Sequence, residues 1–459
     1  GTLTILGLGS ALQNGTIASK GDAALDLNLL GAHRTLIWYV SSYADLQEGG
    51  STASLADLTP GWVYALLILL ALAGVAASVW RGRRFGPVVV ENLPVPMDRR
   101  VWQEALALRQ AGWTVSVICP MNERHPAPYE MLDGIAIYRH PLPLEARGRF
   151  AFLFEYAAAL FHEFRLLFRV WRERGFTVIQ ACNPPDLIFL VVLPFKLLGK
   201  HFVFDHHDVC PELFEAKFGR KGFIHRALLW AERLTFMTAD IVISANDTYR
   251  DLAISRGGKN PRDVVTVYSI PDKSRIYRLP PDDSLRQGKK FVLGYVGVIG
   301  DQDGVDHLVL ALDRLINDHG LRDFHAIVVG DGPALASARE LASRLGLDAF
   351  VTFTGYLNGK ELLRQLNAFD IGIIPDPVNA YNDKISMNKV FEYSALGIPS
   401  VAYPLTETKR LLGKAGVYAK GDAPAELAAA CARLMQDDAL RIRCADEAAR
   451  LAQQSFSWS

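Results

Sequence analysis

Residues 291–304 read FVLGYVGVIGDQDG. An apolar run stops at Gly297, a glycine-rich turn follows, and a helix is expected over about Val305–Asn317. That is one strand–turn–helix unit of a parallel sheet. The unit repeats downstream: His325–Val329 ends at Gly330, Val351–Thr354 at Gly355, Ile371–Ile374 at Pro375 and Ser400–Tyr403 at Pro404. An earlier series runs through Val88–Val90, Val115–Cys119, Thr177–Gln180, His201–Asp205 and Ile241–Ser244, with a helix expected over about Asp98–Ala111. Between the series, Pro271–Gly288 is rich in Pro, Asp, Lys and Arg and reads as a linker. The pattern predicts an α/β fold with two Rossmann-like, doubly wound halves. Ligands of such halves bind at the carboxyl ends of the strands, here in the cleft between the two sheets.

The 459 residues carry 49 Lys+Arg and 49 Asp+Glu, so no global charge excess points to nucleic acid. The five cysteines are scattered and form no C-x-x-C pair, which suits a reducing compartment and argues against a zinc site. Residues 62–80 read WVYALLILLALAGVAASVW, without a charge and near the ~20 residues that cross a bilayer. Trp62, Tyr64 and Trp80 stand where interfacial aromatics stand, and Arg81, Arg83 and Arg84 follow. A single transmembrane helix is expected, with residues 1–60 outside and everything after Arg84 cytoplasmic. Residues 1–60 include a strand-like stretch, Thr35–Val40, and with the apolar run resemble the tail of a bacterial membrane protein of unknown function. The first strand begins only a few residues after Arg84, so either the halves sit almost on the bilayer or two unrelated coding segments have been joined here. Phe161–Phe176 is aromatic and basic; it reads equally as a helix packed on the first sheet or as one lying on anionic lipid.

Four strand ends carry the chemistry. Gly297 and Gly300 after one strand, and Gly330 and Gly332 after another, let backbone approach a ligand, with helix N-termini free to meet a phosphate. Together they point to a ligand bearing a diphosphate. The third is NDKISMNKVFEYSALGIP, residues 382–399, a polar loop leading into a short helix with Asn388, Lys389 and Glu392. Lys389 and Glu392 are three apart and share a helix face. They are either a surface ion pair or a cation for the diphosphate beside a carboxylate for ribose hydroxyls. The fourth is Phe204–Asp208, FDHHD. Alternation along a strand turns only one histidine to the cleft; His207 is the choice, with Asp208 beside it. Adjacent histidines rarely chelate one ion, so no metal is expected.

From about Val88 to Trp458 the chain resembles glycosyltransferase family 4, a retaining family of GT-B fold. The matching blocks are ENLPVPMDRRV (91–101), CNPPD (182–186), DHHD (205–208) with Pro211-Glu212, YVG (295–297), GDGP (330–333) and NKVFEY (388–393), in family order. The resemblance implies that Pro94–Arg100, including Pro96, Asp98, Arg99 and Arg100, lines the cleft near the transferred sugar, as do Asn183 and Asp186. It implies that His207 contacts the donor sugar, that Lys389 meets the diphosphate and that Glu392 holds the ribose. It implies no cofactor and no metal, a nucleotide-sugar donor, and a lipid-linked or polysaccharide acceptor at the cytoplasmic membrane. The expected organisation is an extracytoplasmic segment (1–60), a membrane helix with basic flank (61–84), an acceptor-side half (86–272), a linker (273–289) and a donor-side half (290–459).

The chain departs from the family's pattern in places. Val298 and Asp303 stand where relatives carry Arg and Lys, Lys384 stands where an acidic residue is common, and Tyr268 and Ile270 replace Arg and Gly. The family usually continues beyond Ser455–Ser459 into a last helix that packs across the domains, and a product truncated there would be less stable. Asp301-Gln302-Asp303 matches the D-x-D metal motif of a different glycosyltransferase fold and is read as coincidence. These departures keep a catalytically silent scaffold in play beside the transferase, as the shared donor keeps a nucleotide-sugar epimerase.

Overall fold

The computed structural model describes residues 60–82, 86–141, 149–219, 221–271 and 275–456. The expected extracytoplasmic segment, short of Pro60, and the start of the linker lie outside the described residues. By its internal packing the chain divides into Gly1–Arg83 and Arg84–Ser459.

Within the first unit, Gly61–Gly82 is one helix. The apolar run at 62–80 is therefore helical. Among the described residues, however, no helix is long and apolar enough to cross a membrane.

The second unit holds two sheets. The first has eight strands, β1 (Pro87–Val90), β2 (Ser116–Pro120), β3 (Tyr129–Leu132), β4 (Ile135–His140), β5 (Val178–Cys182), β6 (His201–His206), β7 (Ile241–Ser244) and β8 (Val264–Thr266). Their order is β3-β4-β2-β1-β5-β6-β7-β8, and only β3 runs antiparallel to its neighbour. The second is wholly parallel, β9 (Phe291–Val296), β10 (Phe324–Val329), β11 (Val351–Gly355), β12 (Ile371–Ile374), β13 (Ser400–Ala402) and β14 (Gly416–Tyr418), in the order β11-β10-β9-β12-β13-β14. The strand order reverses beside β1 and beside β9, and the residues that follow these strands are the ones that meet ligands in doubly wound sheets.

The strands are near-continuous apolar runs because helices cover both faces. Successive residues of β1 show it. Val88 and Val90 join a core with Leu167 and Val170 of the helix Arg149–Glu173, with Val192 of Phe189–Leu197 and with Phe236 of Phe223–Thr238. Val89 joins a second core with Val101 and Trp102 of the helix Arg99–Gln110. That helix starts where Asp98 accepts the Val101 N–H at 2.8 Å, a cap worth about 1 kcal/mol. In the second half, Val305–Asn317 buries Val305, Leu308, Val309, Leu312, Leu315 and Ile316, the spacing of one helix face. Its cap, Gly304, has φ 68°, and a Cβ there would lie 2.1 Å from the Pro375 carbonyl, so only glycine fits.

The two sheets meet along a mostly polar seam. Asn246 donates to the Lys384 carbonyl at 2.8 Å, Thr248 to Glu407 at 2.5 Å and Tyr381 to Asp208 at 3.2 Å. Near the linker, Tyr268 packs on Phe391 with ring centroids 5.7 Å apart.

Candidate active site

The turns after β1, β5 and β6 converge on one buried network. His206 ends β6 and points into the core against Phe204, Phe236 and Tyr249. Burial drives its pKa down to about 3, so it is a neutral packing group. His207, the next residue, turns the other way, and its side chain is 15% exposed. Its Nε2 lies 3.0 Å from Arg100 Nε and 3.1 Å from Asp205 Oδ2, and its Nδ1 lies 3.8 Å from Glu91 Oε2. One nitrogen cannot accept from Arg100 and donate to Asp205 at once. Burial alone would lower the His207 pKa, but the Asp205 and Glu91 carboxylates outweigh it and raise it to about 9. The ring is therefore a cation at neutral pH, with Nε2–H donating to Asp205. In that state it offers a donor and a positive charge.

Asp205 is fully buried and takes bonds from Arg100 at 2.9 Å and Gln180 at 3.0 Å. Burial would raise its carboxyl, yet Arg100 and His207 hold it well below the usual range. Glu104 lies one helical turn after Arg100, 3.3 Å from its guanidinium, and accepts from Gln180 at 2.6 Å. Its burial, reinforced by the Asp205 charge, pushes its pKa up all the same, because one guanidinium cannot neutralise every carboxyl around it. Glu91 accepts the Asn92 and Leu93 N–H groups through Oε1 and is raised to about 7, chiefly by burial. Among the described residues its Oε2 finds no nitrogen or oxygen hydrogen-bond partner, and the Cys182 thiol lies against the carboxyl.

Asn183 shapes the turn that carries His207. Its Oδ1 accepts the N–H groups of His207 and Asp208, and its Nδ2 donates to Asp186 and to the Asp208 carbonyl. Asn183 and Asp186 are buried beneath the cleft, as is Arg100, and brace the residues above them. Pro96 and Asp98 are half-buried at its edge. Arg99 is the exposed member of this turn and reaches across the cleft to Glu392 Oε1 at 3.3 Å.

On the facing side, the helix Asn388–Ala395 presents Asn388 to solvent and buries Lys389 and Glu392. These two do not pair with each other. Lys389 Nζ is 2.6 Å from Asp376, which follows β12, and 4.8 Å from the centre of the Tyr295 ring. Burial raises Glu392, and Arg99 opposes the rise. The loops after β9 and β10 are laced together: Gly297 N–H donates to Val329 and Ile299 N–H to Asp331. A Cβ on Gly330 would sit 1.8 Å from the Gly297 carbonyl, and one on Gly332 2.4 Å from that of Ile299. The glycines allow this approach of two loops. Asp303 accepts the Gly300 N–H at 2.9 Å, so this aspartate of the D-x-D stretch closes a turn. Val298 is exposed and supplies no charge.

Sequence reasoning gave no role to Glu91, Glu104, Gln180, Asp205 or Asp376. Glu91 and Asp205 stood inside quoted motifs, and Glu104 lies four residues after Arg100, a legible ion-pair spacing. Among the described residues, Glu91, Cys182 and His207 bring possible metal-ligand atoms within 4.8 Å of one another. They fit a divalent ion poorly. Burial holds the Cys182 thiol protonated, and Arg100 places a permanent positive charge beside the group.

Residues 97–269 match the family model described as glycosyl transferase 4-like domain, and residues 290–437 the model described as glycosyl transferases group 1. α-D-Kanosaminyltransferase of Streptomyces kanamyceticus is 25% identical over 340 residues, 70% of this chain and 83% of that protein. An uncharacterized membrane protein of Mycobacterium tuberculosis is 38% identical over 94 residues, 20% of this chain and 24% of that protein. The chain spans 40% to 46% of the length of further curated relatives. Among solved structures, sucrose-phosphate synthase from Thermosynechococcus elongatus superposes with a TM-score of 0.65 at 16% identity, covering 81% of this chain and 95% of that one. Anabaena HepE, solved with UDP and glucose, does so at 0.59 and 18% identity, covering 81% and 96%. At such identities these two likenesses are of fold.

Proposed function

The chain belongs to glycosyltransferase family 4, with the GT-B fold, and on that premise we propose that it moves a sugar, with retention, from a nucleoside diphosphate sugar to a lipid-linked or cell-envelope glycan. One observation carries the reading: the helix Asn388–Ala395 turns Lys389 and Glu392 to the same cleft that His207 and Arg99 reach from the other sheet. In this reading Glu392 exchanges Arg99 for the ribose hydroxyls. Lys389, the N-terminus of the helix Val305–Asn317 that follows β9, and the His207 cation meet the negative charge that grows on the leaving diphosphate. Those groups take the part a metal plays elsewhere, so transfer is proposed to be metal-independent.

The same proposal sets the enzyme at the cytoplasmic membrane, anchored through residues 62–80, with the two halves on the cytoplasmic side. Its support is the uncharged run, the flanking aromatics and the arginines that follow.

A second reading, a silent scaffold, has one observation in its favour. Lys389 is already neutralised by Asp376, and Asp303 adds a half-buried carboxylate where relatives place a cation. Thermal unfolding of the full chain with nucleoside diphosphates and their sugars, with and without chelator, separates the two. Stabilisation by one nucleotide in chelator is expected, about 2.7 kcal/mol at a hundred times Kd. Product analysis then distinguishes transfer from isomerised donor. A folded chain that no nucleotide stabilises overturns the transferase reading in favour of the scaffold.

A further inference from the structure

Three helices cover one face of the first sheet, and their outward sides are more apolar than their exposure warrants. Phe189–Leu197 lies between Arg149–Glu173 and Phe223–Thr238: Phe164 and Trp171 pack on Phe195, and Lys196 donates to the Thr238 carbonyl. All three bury their inner sides in the same core. Their outer sides therefore form one surface. Phe223, Trp230 and Met237 recur every seven residues along the last helix and are 79%, 63% and 65% exposed. Leu193 and Leu197 on the middle helix, the latter 81% exposed, and Phe168 on the first continue the patch. Single exposed apolar residues need no explanation, but a contiguous set across three helices marks an interaction surface.

The charge around this patch selects its occupant. Arg226 and Arg233 lie on the same helix as the aromatic stripe, and Arg165 one turn from Phe168. Among the described residues none of the three has an acidic partner within salt-bridge distance. Of the acids on these helices and in the turn after the last, Glu173, Asp240 and Glu232 are taken by Arg169, Lys196 and Arg256, and Glu163 is buried on the inner side. Apolar side chains that project among unpaired arginines match a bilayer with anionic headgroups: the rings enter the headgroup boundary while the guanidiniums meet phosphates. The geometry points to this face as a docking surface for an anionic membrane, separate from residues 62–80 and from the cleft. The inference does not rest on sugar transfer.

The test uses the full chain carrying Met237→Cys, labelled with a polarity-sensitive fluorophore, and a control labelled at Lys360→Cys on the other half. Four of the five native thiols are buried and Cys210 is half-buried, so the unsubstituted chain gives the labelling background. On vesicles of phosphatidylcholine mixed with phosphatidylglycerol, the label at 237 is expected to shift to the blue, and the label at 360 to stay. On phosphatidylcholine alone neither shifts. Arg226→Glu with Arg233→Glu is expected to cut the blue-shifted population by about tenfold, and high salt to act the same way. A chain held on anionic vesicles whose 237 label stays in water overturns the docking face and leaves the anchor standing. An equal shift on neutral vesicles overturns the assignment to anionic lipid. A shift without lipid that grows with protein concentration assigns the face to a second copy of the chain. Failure to co-sediment with either vesicle overturns both the face and the anchor.

Discussion

His207 is worth following as a single group, because its charge is made by its neighbours. Its pKa of about 9 lies above the ordinary 6.5, so the folded state holds a proton that the unfolded chain releases earlier. The stabilisation is complete below about pH 6.5 and is lost as pH rises through 9. Glu91, raised to about 7, also binds its proton more tightly when folded and slopes the same way from lower pH. Asp205, held low, contributes stability that is lost only in acid. The urea midpoint is therefore expected to fall between pH 6.5 and 9, with His207 worth on the order of 3 kcal/mol over that window. A flat profile there would show that the ring is neutral. His207→Ala is expected to leave the fold intact and to lower sugar transfer at least about tenfold, a loss of about 1.4 kcal/mol at the transition state. Unchanged transfer in single-turnover assays would remove the residue from the chemistry.

At the scale of elements, the loops after β9 and β10 act as one unit through Gly297 and Gly330. Gly330→Ala would drive a Cβ into the Gly297 carbonyl, and neither backbone can yield without moving its strand end. A cost of about 1–3 kcal/mol in the second half is expected, with nucleotide stabilisation lost in parallel. An unchanged Tm would mean that the two loops are not held together in solution. The same scale shows what the sequence made legible. The helix Arg99–Gln110 and its Asp98 cap follow from spacing and cap chemistry, and Val305–Asn317 falls where its periodicity put it. The hairpin of β3 and β4 went unread, although its turn is Asp133-Gly134, a strong hairpin signal. The network at Arg100 lay beyond reach for a different reason. Gln180 lies 76 positions from Glu104, and Arg100 lies 105 and 107 positions from Asp205 and His207, so only the assembled sheet brings these groups together. Alternation along β6 said that the two histidines part, because that rule is local, but it did not say which of them turns outward. It could not show that Asn183 would hold the turn from another strand.

Across the whole second unit, the two sheets touch through hydrogen bonds and ion pairs more than through packed side chains. Thr248 lies on that seam away from the cleft, bonded to Glu407. Thr248→Val removes that bond and a longer one accepted from Arg410 at 3.4 Å, together about 1 kcal/mol. It is expected to weaken nucleotide binding by up to about fivefold while leaving the unfolding midpoint of the first half in place. Isothermal titration checks this, and an unaltered affinity would show that binding does not draw the halves together.

A seam assembled from a few bonds of that size also works as a clock. Those bonds hold the arrangement of the two halves, and hinge motion between halves so joined is expected on the microsecond-to-millisecond scale. If product release waits on that motion, it sets the pace of turnover. Thickening the solvent would slow the enzyme without touching any residue that meets the sugar.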